Sequence, residues 1–256
     1  GVAVRFGATA APADVDVIAT GLRGRVPFAV DRGIVFRTDA PDLAAVLLDD
    51  RAASRGYAYL LVTEGYGCLC TMCFTDFPGV HAAFARAKAA LLARWPVRIE
   101  DARPVGGVGH VAVVPTWTRG RALVVGEAAG AQDFLWGFGM RHALRTGVLA
   151  ARALLGAPSH ASDEARLGAP GGESARAYAA AAGAHVAPLV RAGVVNRFLW
   201  EGMRWGGYAP AMAALRWGGP YALLRALHRD GVVQRALAPV AARWMRRRYA
   251  ALATPG

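Results

Sequence analysis

The chain has 256 residues, 55% of them apolar and 19% charged, enough for one large domain or two small ones with a substantial core. That balance excludes a disordered or highly polar chain, and no apolar run reaches the ~20 residues a membrane span needs. Basic residues exceed acids by twelve and Lys88 is the single lysine, which fits either a solvated arginine-rich face or an anionic partner such as phospholipid headgroups.

The opening GVAVRFGATA alternates Val2, Val4 and Phe6, which predicts a strand already inside a sheet. A second apolar strand, Asp14 to Gly21, ends at Ala19-Thr20-Gly21. Between Arg25 and Val114, the segments Ile34–Phe36 and Ala44–Leu48 are apolar, and Tyr57 to Val62 alternates as a strand with two tyrosines on one face. Glu64-Gly65-Tyr66-Gly67 turns it back into Cys68 to Phe74, so the pair reads as a β-hairpin.

The three cysteines, Cys68, Cys70 and Cys73, fall in this returning strand. An odd cluster argues against a disulfide framework and for a reducing compartment. With no second Cys/His pair beside them, they read as small buried hydrophobes rather than metal ligands. Pro78 to Trp95 carries Val80, Ala83, Phe84, Ala87, Leu91 and Leu92 at helical spacing. The glycine-rich 104–109 segment then leads to a strand expected at Val111 to Val114.

The stretch from Arg121 to Leu155 organises the rest. A short buried strand, Ala122 to Val125, runs into Gly126-Glu127-Ala128-Ala129-Gly130. Asp133-Phe134 and Gly137-Phe138-Gly139 follow, and a helix opens near Met140. Met140, Leu144, Val148 and Ala151 share one stripe of that helix, expected to pack, with Arg141, Arg145 and Arg152 largely off it. A carboxylate at a strand end, a glycine-flanked turn and a helix N-terminus with unpaired N–H groups suit a polyhydroxylated, partly anionic ligand.

This run resembles the second FAD motif of flavoprotein oxidoreductases of the geranylgeranyl-reductase type, which share the p-hydroxybenzoate-hydroxylase fold. That motif reads Gly-Asp-Ala-Ala-Gly, then Asp-Pro, then Gly-x-Gly before a long helix; here Glu127 replaces the Asp and Phe134 the Pro. The resemblance implies FAD as cofactor, with Glu127 on a ribityl hydroxyl and Gly137, Phe138, Gly139 and Met140 facing the flavin pyrimidine. Gly126 and Gly130 flank the acid within the same motif. Ala19-Thr20-Gly21 is similar to the family's Ala-Thr-Gly strand end, which implies a cofactor-side position for Thr20 and Gly21. Tyr57 and Tyr59 match an aromatic strand lining the family's lipid cavity, though an ordinary sheet face explains two tyrosines equally well.

The family's first motif, Gly-x-Gly-x-x-Gly, is absent; Gly106-Gly107-Val108-Gly109 lacks its spacing and its helix. The expected fold is therefore α/β, an FAD-binding doubly wound fold lacking its first βαβ unit, truncated at its N-terminus, with a β-sheet substrate domain. The expected organisation is a partial FAD-binding domain over 1–27, a substrate-side β-sheet insertion with one helix over 28–114, and the second FAD motif and long helix over 115–156. A linker over 157–172 and a C-terminal helical region over 173–256 complete it.

The implied activity is FAD-dependent reduction of carbon–carbon double bonds in an isoprenoid or other lipid-like substrate, with no catalytic side chain or metal assigned. A flavin monooxygenase of the same fold, or a non-catalytic basic fragment binding a membrane surface or a partner, are the alternatives. The electron donor is unassigned and no nucleic-acid module is present. Cytoplasmic placement is expected, with peripheral membrane contact through the arginine-edged last helix, Arg243 and Arg246 to Arg248.

Overall fold

The computed structural model describes residues 3–22, 27–156, 171–202, 213, 219, 225 and 227–253. Of the linker expected at 157–172, residues 157–170 lie outside these residues, whereas 171 and 172 begin a helix. The chain divides into two compact units, one of Gly1–Arg23, Ala112–Val195 and His228–Ala242, the other of Gly24–Val111, Asn196–Leu227 and Arg243–Gly256.

The second unit is built on a five-stranded antiparallel sheet. Its strands are β2 (Pro27–Arg37), β3 (Leu43–Leu47), β4 (Tyr57–Thr63), β5 (Tyr66–Cys73) and β6 (Glu100–His110), in the order β3-β4-β5-β2-β6. Helix α1 (Val80–Arg94) covers one face, where Phe36, Leu60, Val62 and Leu69 meet Ala87 and Leu91 in a closed core. The period-two pattern of β4 puts Leu60 and Val62 on that face and Tyr57 and Tyr59 on the other. The hairpin and helix read from the sequence are therefore present. The strand expected at Val111 to Val114 is not, because the glycine-rich segment before it is itself the strand. Gly106 has to lack a side chain there, since a Cβ would stand 2.6 Å from the Asp31 carbonyl oxygen on β2.

The C-terminal segments of this unit close around a buried ion pair. Arg197 is fully buried, lies 3.7 Å from the Phe74 ring centroid and donates to the Arg55 carbonyl and to Glu201 at 3.1 Å. Tyr249 donates to the same Glu201 oxygen at 2.9 Å, and Arg248 stands 3.8 Å from the other. Arg248 is thus drawn inward, whereas Arg243, Arg246 and Arg247 are exposed.

The first unit has a three-stranded sheet of β1 (Val17–Ile18), β7 (Thr118–Arg119) and β8 (Ala122–Val124), in the order β1-β8-β7. β1 runs parallel to β8, with Val17 opposite Leu123 and Ile18 opposite Val124. Helix α2 (Met140–Leu155) follows β8, and α3 (Gly171–His185) and α4 (Ala187–Arg197) come after it. Leu123, Val125, Ala150, Tyr178 and Ala182 form the core, and the Tyr178 hydroxyl donates to the Val124 carbonyl at 2.7 Å. The last helix, α5 (Val232–Ala253), contributes residues to both units.

Two expectations fail in this unit. The described part of the opening segment forms no strand, and Phe6 is 93% exposed, because Val4 and Phe6 find no strand to pair with among the described residues. The stripe of Met140, Leu144, Val148 and Ala151 does not pack. His142, Thr146 and Ala150 form the buried line of α2, and the apolar stripe faces outward.

Candidate functional site

The turn after β8 is wound tightly by its own backbone. Gly126 to Ala129 form a single 3-10 turn, closed where Gly130 N–H donates to the Glu127 carbonyl at 2.8 Å. Gly126 and Gly130 sit at φ +57 and +79, a region side chains rarely enter. A Cβ on Gly130 would also stand 2.9 Å from Ala112, and one on Gly126 3.1 Å from Ala143 on α2. The Gly126 N–H donates to Thr146 Oγ1 at 2.8 Å. Both glycines are thus committed to internal packing, and their N–H groups are taken.

Glu127, between them, is different. Its carboxylate makes no hydrogen bond or ion pair with any described residue, and it is only half-buried. Its Oε2 stands 4.0 Å from where a Cβ on Gly21 would lie. The structure therefore brings Thr20-Gly21, just beyond β1, to the acid just beyond β8.

The second half of the motif is folded by Asp133, which is 2% exposed at its side chain. Its Oδ1 accepts from the backbone N–H of Leu135 at 2.9 Å and of Trp136 at 3.3 Å. Its Oδ2 takes Arg141 at 3.1 Å and His228 at 3.0 Å, and its carbonyl accepts the Gly137 N–H at 2.7 Å. Burial pushes this carboxyl up, but the hydrogen bond and charge of His228, the Leu135 N–H and the charge of Arg141 outweigh it and hold it below its ordinary 3.8. The reward is a fixed chain reversal ahead of α2, with Phe134 buried beneath it.

Past that reversal the backbone opens. Gly137 is at φ +78, Phe138 is half-exposed, and Gly139 caps α2 with empty space where a Cβ would be. The Gly139 cap has no side-chain partner for the first helical turn, whose N–H groups carry the positive end of the helix dipole. Met140 is largely exposed beside them.

His142, in the first turn of α2, carried no expectation from the sequence. It is fully buried, and neither ring nitrogen has a hydrogen-bond partner. Burial, then the Arg141 charge, push its pKa down to about 4, so the ring is neutral at pH 7. Its spacing from Thr146 and Ala150 marks the buried line of the helix, which is the signal that places it inside.

Tyr57 and Tyr59 lie together on the face of the five-stranded sheet opposite α1, ring centroids 6.2 Å apart. Tyr57 is buried, and Tyr59 stands 3.9 Å from Cys68 Sγ. Cys68 and Cys70 share this face, while Cys73 packs with Val80 and Ala83 on the α1 side. Among the described residues no three His, Cys, Asp or Glu side chains converge as a metal site, and no single helix is long and apolar enough to cross a membrane.

No protein-family model matches the chain, and no curated protein sequence does. Solved structures do match. One is a geranylgeranyl bacteriochlorophyll reductase-like protein from Thermoplasma acidophilum, at 16% identity and TM-score 0.53, over 82% of this chain and 54% of that one. Another is the flavin-dependent brominase Bmp2, at 12% identity and TM-score 0.58, over 90% and 64%. A third is the tryptophan 6-halogenase SttH from Streptomyces toxytricini, at 12% identity and TM-score 0.51, over 94% and 56%. The chain thus has the mixed α/β fold of these structures, and spans between 54% and 64% of their lengths.

Proposed function

We propose that this chain is the flavin-facing part of an FAD-dependent oxidoreductase that reduces carbon–carbon double bonds of an isoprenoid or other lipid-like substrate. The observation that carries this reading is Glu127: a carboxylate without a partner among the described residues, at a strand end, beside Gly21 and within the glycine turns that lead to the open N-terminus of α2.

The residues present fit one end of FAD. Glu127 has free acceptor capacity for a ribityl hydroxyl, and Gly139 leaves room for a flat ring to approach the backbone. The first-turn N–H groups of α2 offer positive charge to the ring's electron-rich edge. No Gly-x-Gly-x-x-Gly turn occurs in the sequence, and Gly106 to Gly109 lie within β6, so the described residues form no cradle of that kind for the pyrophosphate. When bound, FAD supplies hydride transfer to carbon. The chain's own part is to orient it: Asp133 fixes the reversal, Glu127 holds the ribityl chain, and the α2 dipole favours the reduced, anionic ring. Within the second unit, Tyr59, half-buried beside the buried Tyr57, is the aromatic expected to meet an apolar substrate.

A second reading, oxygen-dependent monooxygenation or halogenation by the same flavin site, draws support from the likeness to the brominase and halogenase. One experiment separates the two. The chain loaded with FAD and reduced without oxygen should be reoxidised by a geranylgeranyl substrate, with loss of a double bond. Reoxidation only by oxygen, with a hydroxylated or halogenated product, would favour the second reading.

A further inference from the structure

Within the first unit, the reversal that leads to Gly137 is gripped by a residue 95 positions further along the chain. His228 Nε2 stands 3.0 Å from Asp133 Oδ2, the oxygen that Arg141 also reaches at 3.1 Å. The His228 side chain is 21% exposed and that of Asp133 2%. Against the burial that pushes the Asp133 carboxyl up, His228 is the strongest opposing group, ahead of the Leu135 N–H and the Arg141 charge.

His228 has a firm footing. Two residues on, Asp230 accepts two bonds from the Arg191 guanidinium of α4, at 3.0 and 2.6 Å. The same helix lies against the reversal, since a Cβ on Gly193 would stand 3.0 Å from the Phe134 nitrogen and 3.7 Å from Asp133 Oδ1. Helix α4 therefore supports both the reversal and the segment from which His228 reaches it. The reversal needs outside support, because Phe134 does not fix its own backbone as a proline would.

We propose that His228 is a positioning residue for the flavin-facing backbone: its imidazolium, acting through Asp133, holds Gly137, Phe138 and Gly139 in the arrangement that FAD meets. The inference rests on the flavin reading of this loop and assigns His228 no contact with the cofactor. The path is short. His228 anchors Oδ2, while Oδ1 of the same carboxylate accepts the Leu135 and Trp136 N–H groups and the Asp133 carbonyl accepts the Gly137 N–H. A planar carboxylate fixed at one oxygen has little freedom at the other.

The tether is strengthened by charge only while the ring holds its second proton. The charged and titratable groups around the ring, among the described residues, are Asp133, Arg141 and the neutral His142 of α2. In its own segment Arg229 is exposed and Asp230 is engaged by Arg191. Loss of the ring proton leaves Arg141, itself 45% exposed, as the cation on a buried carboxylate, so the loop loosens as pH rises through the imidazole range.

The test compares the intact chain with His228→Gln, which keeps an N–H donor without the charge, and His228→Ala, which removes both. Amide NMR of the flavin-free chain is followed from about pH 5 to about pH 9, a window that brackets the ordinary histidine value of ~6.5. His142, which takes up its proton only near 4, is silent there. The Leu135, Trp136 and Gly137 amides of the parent should titrate together and stay flat in both variants. FAD should bind the parent about tenfold more weakly at the alkaline end than at the acid end, the order of one charge-assisted hydrogen bond, and bind His228→Gln with no such change. His228→Ala should bind FAD more weakly than His228→Gln at every pH. Loop amides that titrate alike in parent and His228→Gln, or FAD affinities that follow pH equally in both, would overturn the proposal and leave the flavin reading standing. Amides that titrate as expected in a chain that binds no FAD would instead overturn the flavin reading, and the positioning role with it.

Discussion

Glu127 Oε2 lies 4.0 Å from the position a Cβ on Gly21 would occupy, so the segments that follow two parallel neighbouring strands converge on one carboxylate. Nothing in the described protein consumes that carboxylate's hydrogen-bonding capacity. Glu127→Ala should therefore weaken FAD binding by ~1–3 kcal/mol, the worth of a hydrogen bond to a charged group, while leaving thermal stability within ~0.5 kcal/mol of the parent. Fluorescence titration and thermal melts check the two halves separately. A large loss of stability would mean that the acid is structural.

Asp133 is the reverse case, with its oxygens fully engaged by Leu135, Trp136, Arg141 and His228. Asp133→Ala should cost ~1–3 kcal/mol by stranding those donors, and urea unfolding measures it. Because its folded pKa lies below the ordinary 3.8, the stabilisation is present above that value and disappears as pH falls through the folded pKa. The variant and parent should converge in stability only in that acidic range.

His142 carries a pH signature of the same sign in a higher pH range. Its ring is held neutral down to about 4, whereas the unfolded chain takes up the proton near 6.5. Stability should hold above pH 6.5 and fall between about 6.5 and 4, by up to ~3 kcal/mol. His142→Leu should remove most of that slope and raise stability, since it deletes two buried ring nitrogens that have no partners. An unchanged slope in denaturant midpoints against pH would show that other groups govern it.

Gly130→Ala tests the turn itself. With φ at +79 and Ala112 at 2.9 Å, the added methyl meets both backbone strain and a clash. A loss of ~2–5 kcal/mol is expected, summing roughly 1–2 for the conformation and 1–3 for overpacking. Gly139→Ala, where the space is open, should cost much less in stability and act instead on flavin affinity.

What the sequence made legible was local and periodic. The β4–β5 hairpin announced itself through alternation and a glycine turn, and α1 through its apolar spacing. The parallel strand before Thr20 and the turn at Gly126 were readable as a pair because their motifs are short and chemically marked. The opening segment was misread because alternation reports which residues would share a face, not whether a partner strand exists. The stripe on α2 was misread for the same reason: spacing identifies the stripe, but coverage depends on neighbours. β6 was missed because its glycines look like a loop until the close approach of β2 explains them. Asp133 and His142 gained their roles only from burial and from partners distant in sequence, which no spacing rule reveals.

The most direct test of the flavin reading is an amide NMR titration of the chain with FAD. The expected result is saturable binding with shifts concentrated at residues 20–21, 127–128 and 137–141. Saturation with those amides unmoved, or no saturable binding to the chain, would contradict it.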